Sequence, residues 1–127
     1  MAIIVKCNPP AVSPGGFCVV EERIYYQAQP QPGEVVYVWE AETAGGRGLA
    51  MRGHIEHVQI LGDRAELHIG VDPNRAAGSL NVEILAPHRN TGGQAALSGL
   101  ARKLYRHAHN KIAPLTADEV NFVQEFF

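Results

Sequence analysis

The sequence predicts an α+β protein, mainly β. We expect a small, strongly curved pseudo-barrel of five to six strands with short helices, two of them C-terminal, in one domain over residues 1–127. Three observations lead there. Short β-branched and aromatic runs recur through the first two-thirds of the chain, punctuated by glycine and proline. One of them, Leu49–Leu61, is long and switches its apolar parity part-way, as a bent barrel strand does. The last third changes from a period of two to a helical period.

The elements follow in order. AIIVKC (Ala2–Cys7) is apolar throughout and reads as a buried first strand. Asn8–Gly16 consists of chain breakers and forms a loop. FCVVEERIYYQ (Phe17–Gln27) fits either a strand or a short helix. Gln29–Glu34 is a turn around Pro32-Gly33. Glu34–Glu40 is a strand with Val35, Tyr37 and Trp39 on one face and Val36, Val38 and Glu40 on the other. Three glycines break the chain at Ala41–Gly48.

Leu49–Leu61 then alternates with Leu49, Met51 and Ile55 on one face. After His57 the apolar positions become Val58 and Ile60, which predicts a bulge or a strand that bends to change neighbours. Gly62-Asp63 turns into a hairpin strand, Ala65–Val71. Asp72–Ser79 is a loop, and Leu80–Leu85 reads as a further strand. Gln94–His107 is an amphipathic helix with Leu97, Leu100, Ala101 and Leu104 on its apolar stripe. Leu115–Phe127 is a second helix, opened by a capping box between Thr116 and Glu119.

Composition narrows the function classes. An apolar fraction of 46% and a charged fraction of 19% exclude wholesale disorder. No apolar run approaches the roughly 18 residues of a membrane span. MAIIVKC lacks the basic and long apolar segments of an export signal, so a cytoplasmic location with free Cys7 and Cys18 is expected.

The net charge of −2 argues against a generic polyanion binder. Its distribution is uneven. Residues 1–85 hold six basic against ten acidic side chains, whereas residues 86–117 hold five basic and none acidic. Arg89, Arg102, Lys103 and Arg106 of that block are candidates for phosphate-backbone contacts; a merely solvated helix face explains them equally well.

The densest chemistry lies in Val36–Gly53. Trp39 offers a stacking plane, Arg47 a clamp for phosphate or carbonyl, and the glycines let a ligand approach the backbone. The same residues suit a hairpin loop with Trp39 in the core. There is neither a Walker loop nor a dinucleotide fingerprint. The six histidines lack metal-ligand spacing; His54 and His57 share a face only if a bulge separates them. Neither a metal nor a cofactor is expected. No nucleophile motif is present, and Cys7 suits a packed thiol.

PGEVVYVWEAETAGGRGLAMRGHI (Pro32–Ile55) resembles the start of the barrel in PUA-like domains of the EVE, YTH and ASCH group. AIIVKCN is similar to their first strand, and KIAPLTADEV to the helix that closes many EVE-like chains. The resemblance implies a pseudo-barrel that holds one modified or flipped base in an aromatic-lined pocket under a basic rim. It places Trp39 on the pocket wall, Lys6, Cys7 and Asn8 on the first-strand rim, and Thr43 and Arg47 in the bordering loop. The expected function is thus a nucleic-acid binding module with RNA or DNA as partner.

Two alternatives stay open. One is an ASCH-like hydrolase of a modified nucleoside, with Lys6, Thr43 and Glu40 or Glu42 around the pocket. The other is a protein-interaction module or homodimer built on the basic helix and Phe126-Phe127.

Overall fold

The computed structural model describes residues 2–78, 80–89, 95–105 and 109–127. It is a curled sheet of six strands with three short α-helices: β1 (Ala2–Cys7), β2 (Phe17–Arg23), β3 (Val35–Glu40), β4 (Gly48–Leu61), β5 (Arg64–Val71), α1 (Val82–Leu85), α2 (Ala96–Tyr105), β6 (Lys111–Leu115) and α3 (Ala117–Gln124). The sheet order is β2-β5-β4-β3-β1-β6. All pairings are antiparallel except β1 with β3. The sheet curls until its ends meet at one parallel bridge, Ile24 with Ile112, where Tyr25 N donates to Ile112 O at 2.9 Å.

Curling creates two cores. Ile3, Val5, Val36, Val38, Leu67 and Ile69 fill the inside of the curl. On the outside, Ile4, Tyr37, Trp39 and Leu49 pack under Leu85, Leu100, Leu104 and Val123 of the helices. β1 and β3 are therefore apolar on both faces, which is why their sequences run nearly without polar residues.

β4 bends at two bulges. Its register against β3 shifts between Val38 and Trp39, leaving Ala50 unopposed. Leu49 and Met51 consequently lie in different cores, not on the single face the alternation suggested. The second bulge leaves Glu56 unopposed between Ile55 and His57, where the parity switch placed it. Beside it the strands press together: an added Cβ at Gly53 would stand 2.2 Å from Gly70 O, so this position excludes any side chain.

Several expectations are corrected or settled. Phe17–Gln27 is strand over Phe17–Arg23, paired with β5. Leu80–Leu85 is not a strand. Asn81 caps α1 there, its side chain accepting from Glu83 N at 3.0 Å, and local hydrogen bonds replace a ladder. A 3-10 turn, Ala86–His88, follows. β6, to which the sequence pattern assigns no element, carries Pro114 on the end strand of the sheet, where a missing N–H is tolerated. The turn after β2 carries positive φ at two non-glycines, Tyr26 (55°) and Gln27 (58°), with Ala28 N donating to Tyr25 O at 3.2 Å.

Helix α2 lies within the expected Gln94–His107, whose residues 94, 106 and 107 are outside the described ones, while α3 starts at Ala117 because Leu115 belongs to β6. The Thr116–Glu119 capping box forms in both directions. Among the described residues no helix is long and apolar enough to cross a membrane.

Candidate ligand-binding cleft

Trp39 points outward from β3 and is covered by α2. It is 0% exposed. Tyr105 meets it edge-on, with ring centroids 6.0 Å apart, and its Nε1 donates to Glu42 Oε1 at 3.3 Å. Trp39 is a core residue, and in this conformation neither ring face is open to a base.

The first-strand rim comes apart by alternation. Lys6 points the same way as Trp39 and is 8% exposed. Its Nζ donates to Leu104 O at 2.9 Å and lies 4.4 Å from the Tyr105 ring centroid. The ammonium thus caps the C-terminal end of α2, where the helix dipole favours a cation. Burial lowers its pKa, and nearby Glu42 works against the fall. Cys7 points into the inner core, and burial pushes its thiol up to about 12, so it is an inert packed thiol. Cys18 is buried in the same core, and both cysteines are free. Asn8 is exposed and accepts from Asn110 Nδ2 at 2.9 Å.

Strand β3 ends at Glu40, so Glu40 and Glu42 do not form a pair on one face. Glu42 opens a 3-10 turn, Glu42–Ala44, on which Thr43 is exposed. The Glu42 carboxylate is fully engaged. It accepts from Trp39 Nε1, from Tyr105 Oη at 3.0 and 2.9 Å, and from Val82 N at 2.6 Å. Burial and this carboxylate together push the Tyr105 hydroxyl far above its ordinary range. Arg47 clamps its own chain, Nη2 donating to Ala76 O at 3.1 Å and Ala50 O at 3.4 Å. The structure therefore gathers Lys6, Trp39 and Glu42 around Tyr105, but as an interior network whose bonding capacity is spent on the fold.

The basic helix face also changes character. Lys103 turns inward. Its Nζ donates to Glu119 Oε1 at 2.6 Å and to Pro114 O at 2.7 Å, tying α2 to α3 and β6. Its side chain is only 15% exposed, so it is not a phosphate contact. Arg89 is exposed, Arg102 is half-buried, and Arg106 lies outside the described residues.

A further apolar concavity lies elsewhere. A cleft of about 680 Å3 runs between the outer face of β3–β4 and helix α3. Val35 and Val120 supply apolar walls, while Arg52, His54, Asp72 and Asn121 supply polar groups. Register explains the grouping. Tyr37 pairs with Arg52 and Val35 with His54, so these β4 residues share the face that α3 covers. Asp72 arrives because its own N–H continues the pairing, donating to Arg52 O at 2.8 Å.

Arg52 Nε donates to Asp72 Oδ2 at 2.8 Å, and the Phe127 ring lies 5.0 Å from the guanidinium carbon. At the cleft floor Tyr37 Oη donates to Gln124 Oε1. Burial raises the Tyr37 hydroxyl's pKa and Arg52 opposes the rise, so the phenol stays a neutral donor. Sequence reasoning missed Arg52, His54 and Asp72. The one available signal was that Arg52 and His54 fall two apart, on the opposite parity to Met51 and Ile55. Among the described residues no group of three His, Cys, Asp or Glu side chains could hold a metal.

No family model matches the chain, and no curated protein or solved structure matches it.

Proposed function

We propose that the protein binds one planar, uncharged heterocycle of the nucleobase class in the cleft between α3 and β3–β4. One observation carries this reading: apolar walls and a half-exposed Arg52–Asp72 pair share a cleft of about 680 Å3. That volume is within the roughly 300–1,000 Å3 of small-molecule sites. The polar groups include one cation and one anion in contact, which favours a neutral ligand with both donors and acceptors over a phosphate. The PUA-like resemblance of Pro32–Ile55 points to a base, and the cleft replaces Trp39 as its seat.

A long polynucleotide track fits less well. With Lys103 bound to Glu119, the candidate backbone contacts left among the described residues are Arg89 and Arg102. Two contacts give only weak, salt-sensitive binding. The base is thus taken free, as a nucleoside, or extruded from a strand.

The test is an NMR titration with nucleosides and short oligonucleotides at about 50 and 200 mM salt. We expect saturable shifts at Arg52, His54, Val120 and Asn121 that are indifferent to salt. Shifts confined to Arg89 and Arg102 that vanish with salt, or no saturable shift with any nucleoside, would overturn the proposal.

A further inference from the structure

We propose that the cleft is selective for the guanine edge, with Arg52 and Asp72 as its specificity-determining residues; this rests on the cleft being the heterocycle site proposed above. Arg52 spends Nε on Asp72 Oδ2, and among the described residues its two Nη nitrogens and Asp72 Oδ1 have no hydrogen-bond partner. Among these residues no buried side-chain nitrogen or oxygen lacks a partner, so these atoms remain accessible to solvent. The two side chains are 20% and 27% exposed, and both line the cleft.

The pair therefore offers unused N–H donors on Arg52 and an unused carboxylate oxygen on Asp72, joined through the Nε–Oδ2 contact. Nε–H to Oδ2 holds the two groups in contact, and the Phe127 ring against the guanidinium helps fix its plane. The complementary ligand edge is an acceptor followed by N–H donors. Guanine has that order on its Watson–Crick edge: O6 accepts, then N1–H and the N2 amino group donate. Adenine and cytosine, turned over, also set an acceptor beside an amino group, but each offers the carboxylate only one donor nitrogen. Uracil alternates and offers a single N–H. Only guanine gives Arg52 an acceptor and gives the carboxylate two donors. A carboxylate facing an unsuitable acceptor is left desolvated and unpaired, which makes such sites discriminating.

The experiment measures guanosine, inosine, xanthosine and adenosine binding to wild type, Asp72→Asn and Arg52→Lys. The buffer is acidic enough to keep xanthosine neutral, and an unchanged Trp39 emission spectrum checks the fold. In wild type we expect guanosine to bind about tenfold or more tightly than adenosine or xanthosine, with inosine between. In Asp72→Asn the preference inverts toward xanthosine, whose C2 carbonyl accepts from the new amide. In Arg52→Lys every 6-oxopurine weakens relative to adenosine, so the guanosine-over-adenosine margin shrinks, while guanosine stays ahead of inosine and xanthosine.

A structural role for the pair would not exchange one purine for another. Equal binding of adenosine and guanosine by wild type, or retained guanosine preference in Asp72→Asn, would overturn this inference while leaving the heterocycle site standing. Absence of binding by every nucleoside would overturn both.

Discussion

Lys111 is a cation that the fold holds at a cost, and the cost can be read as a pH dependence. It is 0% exposed, pairs across the ladder with Lys6, and sits with Nζ 5.0 Å from the Tyr25 ring centroid. Burial, and then the neighbouring Lys6 charge, lower its pKa from the ordinary 10.5 to about 8. The fold thus disfavours the protonated amine relative to the unfolded chain. Below pH 8 both states hold the proton and the penalty is complete. Between pH 8 and 10.5 the folded protein has released it while the unfolded chain has not, so stability rises with pH across that window. At about 1.4 kcal/mol per unit, the penalty is at most about 3 kcal/mol.

Other groups titrate nearby with the opposite sign. Cys7, Tyr37 and Tyr105 have raised pKa values and lose stability as the pH climbs past the values of the unfolded chain. Wild type alone is therefore a poor readout. The difference between wild type and Lys111→Met cancels those contributions. Urea unfolding followed by Trp39 fluorescence should give a difference that moves by about 3 kcal/mol from pH 7 to 10.5, favouring the variant at the lower pH. The contact with Tyr25 stabilises only the charged amine, so it is already contained in the folded-state pKa and adds no separate offset. A difference that is flat with pH, or that favours wild type more strongly at pH 7 than at 10.5, would refute the reasoning.

Three further perturbations test the architecture. Trp39→Ala should cost about 3–5 kcal/mol in chemical denaturation, because it empties the centre of the outer core and strands part of the Glu42 network; a change below 1 kcal/mol would make the ring dispensable. Lys103→Met should cost about 3 kcal/mol by leaving the Glu119 carboxylate buried without its cation, and Lys103→Met combined with Glu119→Gln should recover part of that loss in the same assay. Replacing Tyr26-Gln27 by Asn-Gly should raise the melting temperature by a few degrees, since each left-handed L-residue costs about 1–2 kcal/mol; an unchanged or lower melting temperature would show that the pair is unstrained.

Local patterns made much of this protein legible from its sequence. The strands β1, β3, β4 and β5, the bulge before His57 and the capped helix α3 each follow from a repeat, a turn or a capping pair within a dozen residues. α1 and β6 are not legible locally because Asn81 and Pro114 take their meaning from surroundings the local pattern does not contain: a cap beside the Glu42 carboxylate and an end position in the sheet. Of the candidate residues around Trp39, Lys6 and Glu42 meet it at Tyr105, whereas Cys7 turns into the inner core and Asn8 and Thr43 are exposed. Whether Lys6, Trp39 and Glu42 face a ligand or one another depended on whether α2 covers that face.

The cleft was decided by tertiary structure alone. Arg52 and Asp72 are 20 positions apart and meet through the pairing that follows β5, and α3 supplies the opposite wall from the far end of the chain. Composition and periodicity determine which side chains avoid water. They do not determine which polar groups a curled sheet leaves side by side at its surface, because that depends on register, on two one-residue bulges, and on where the last helix lands.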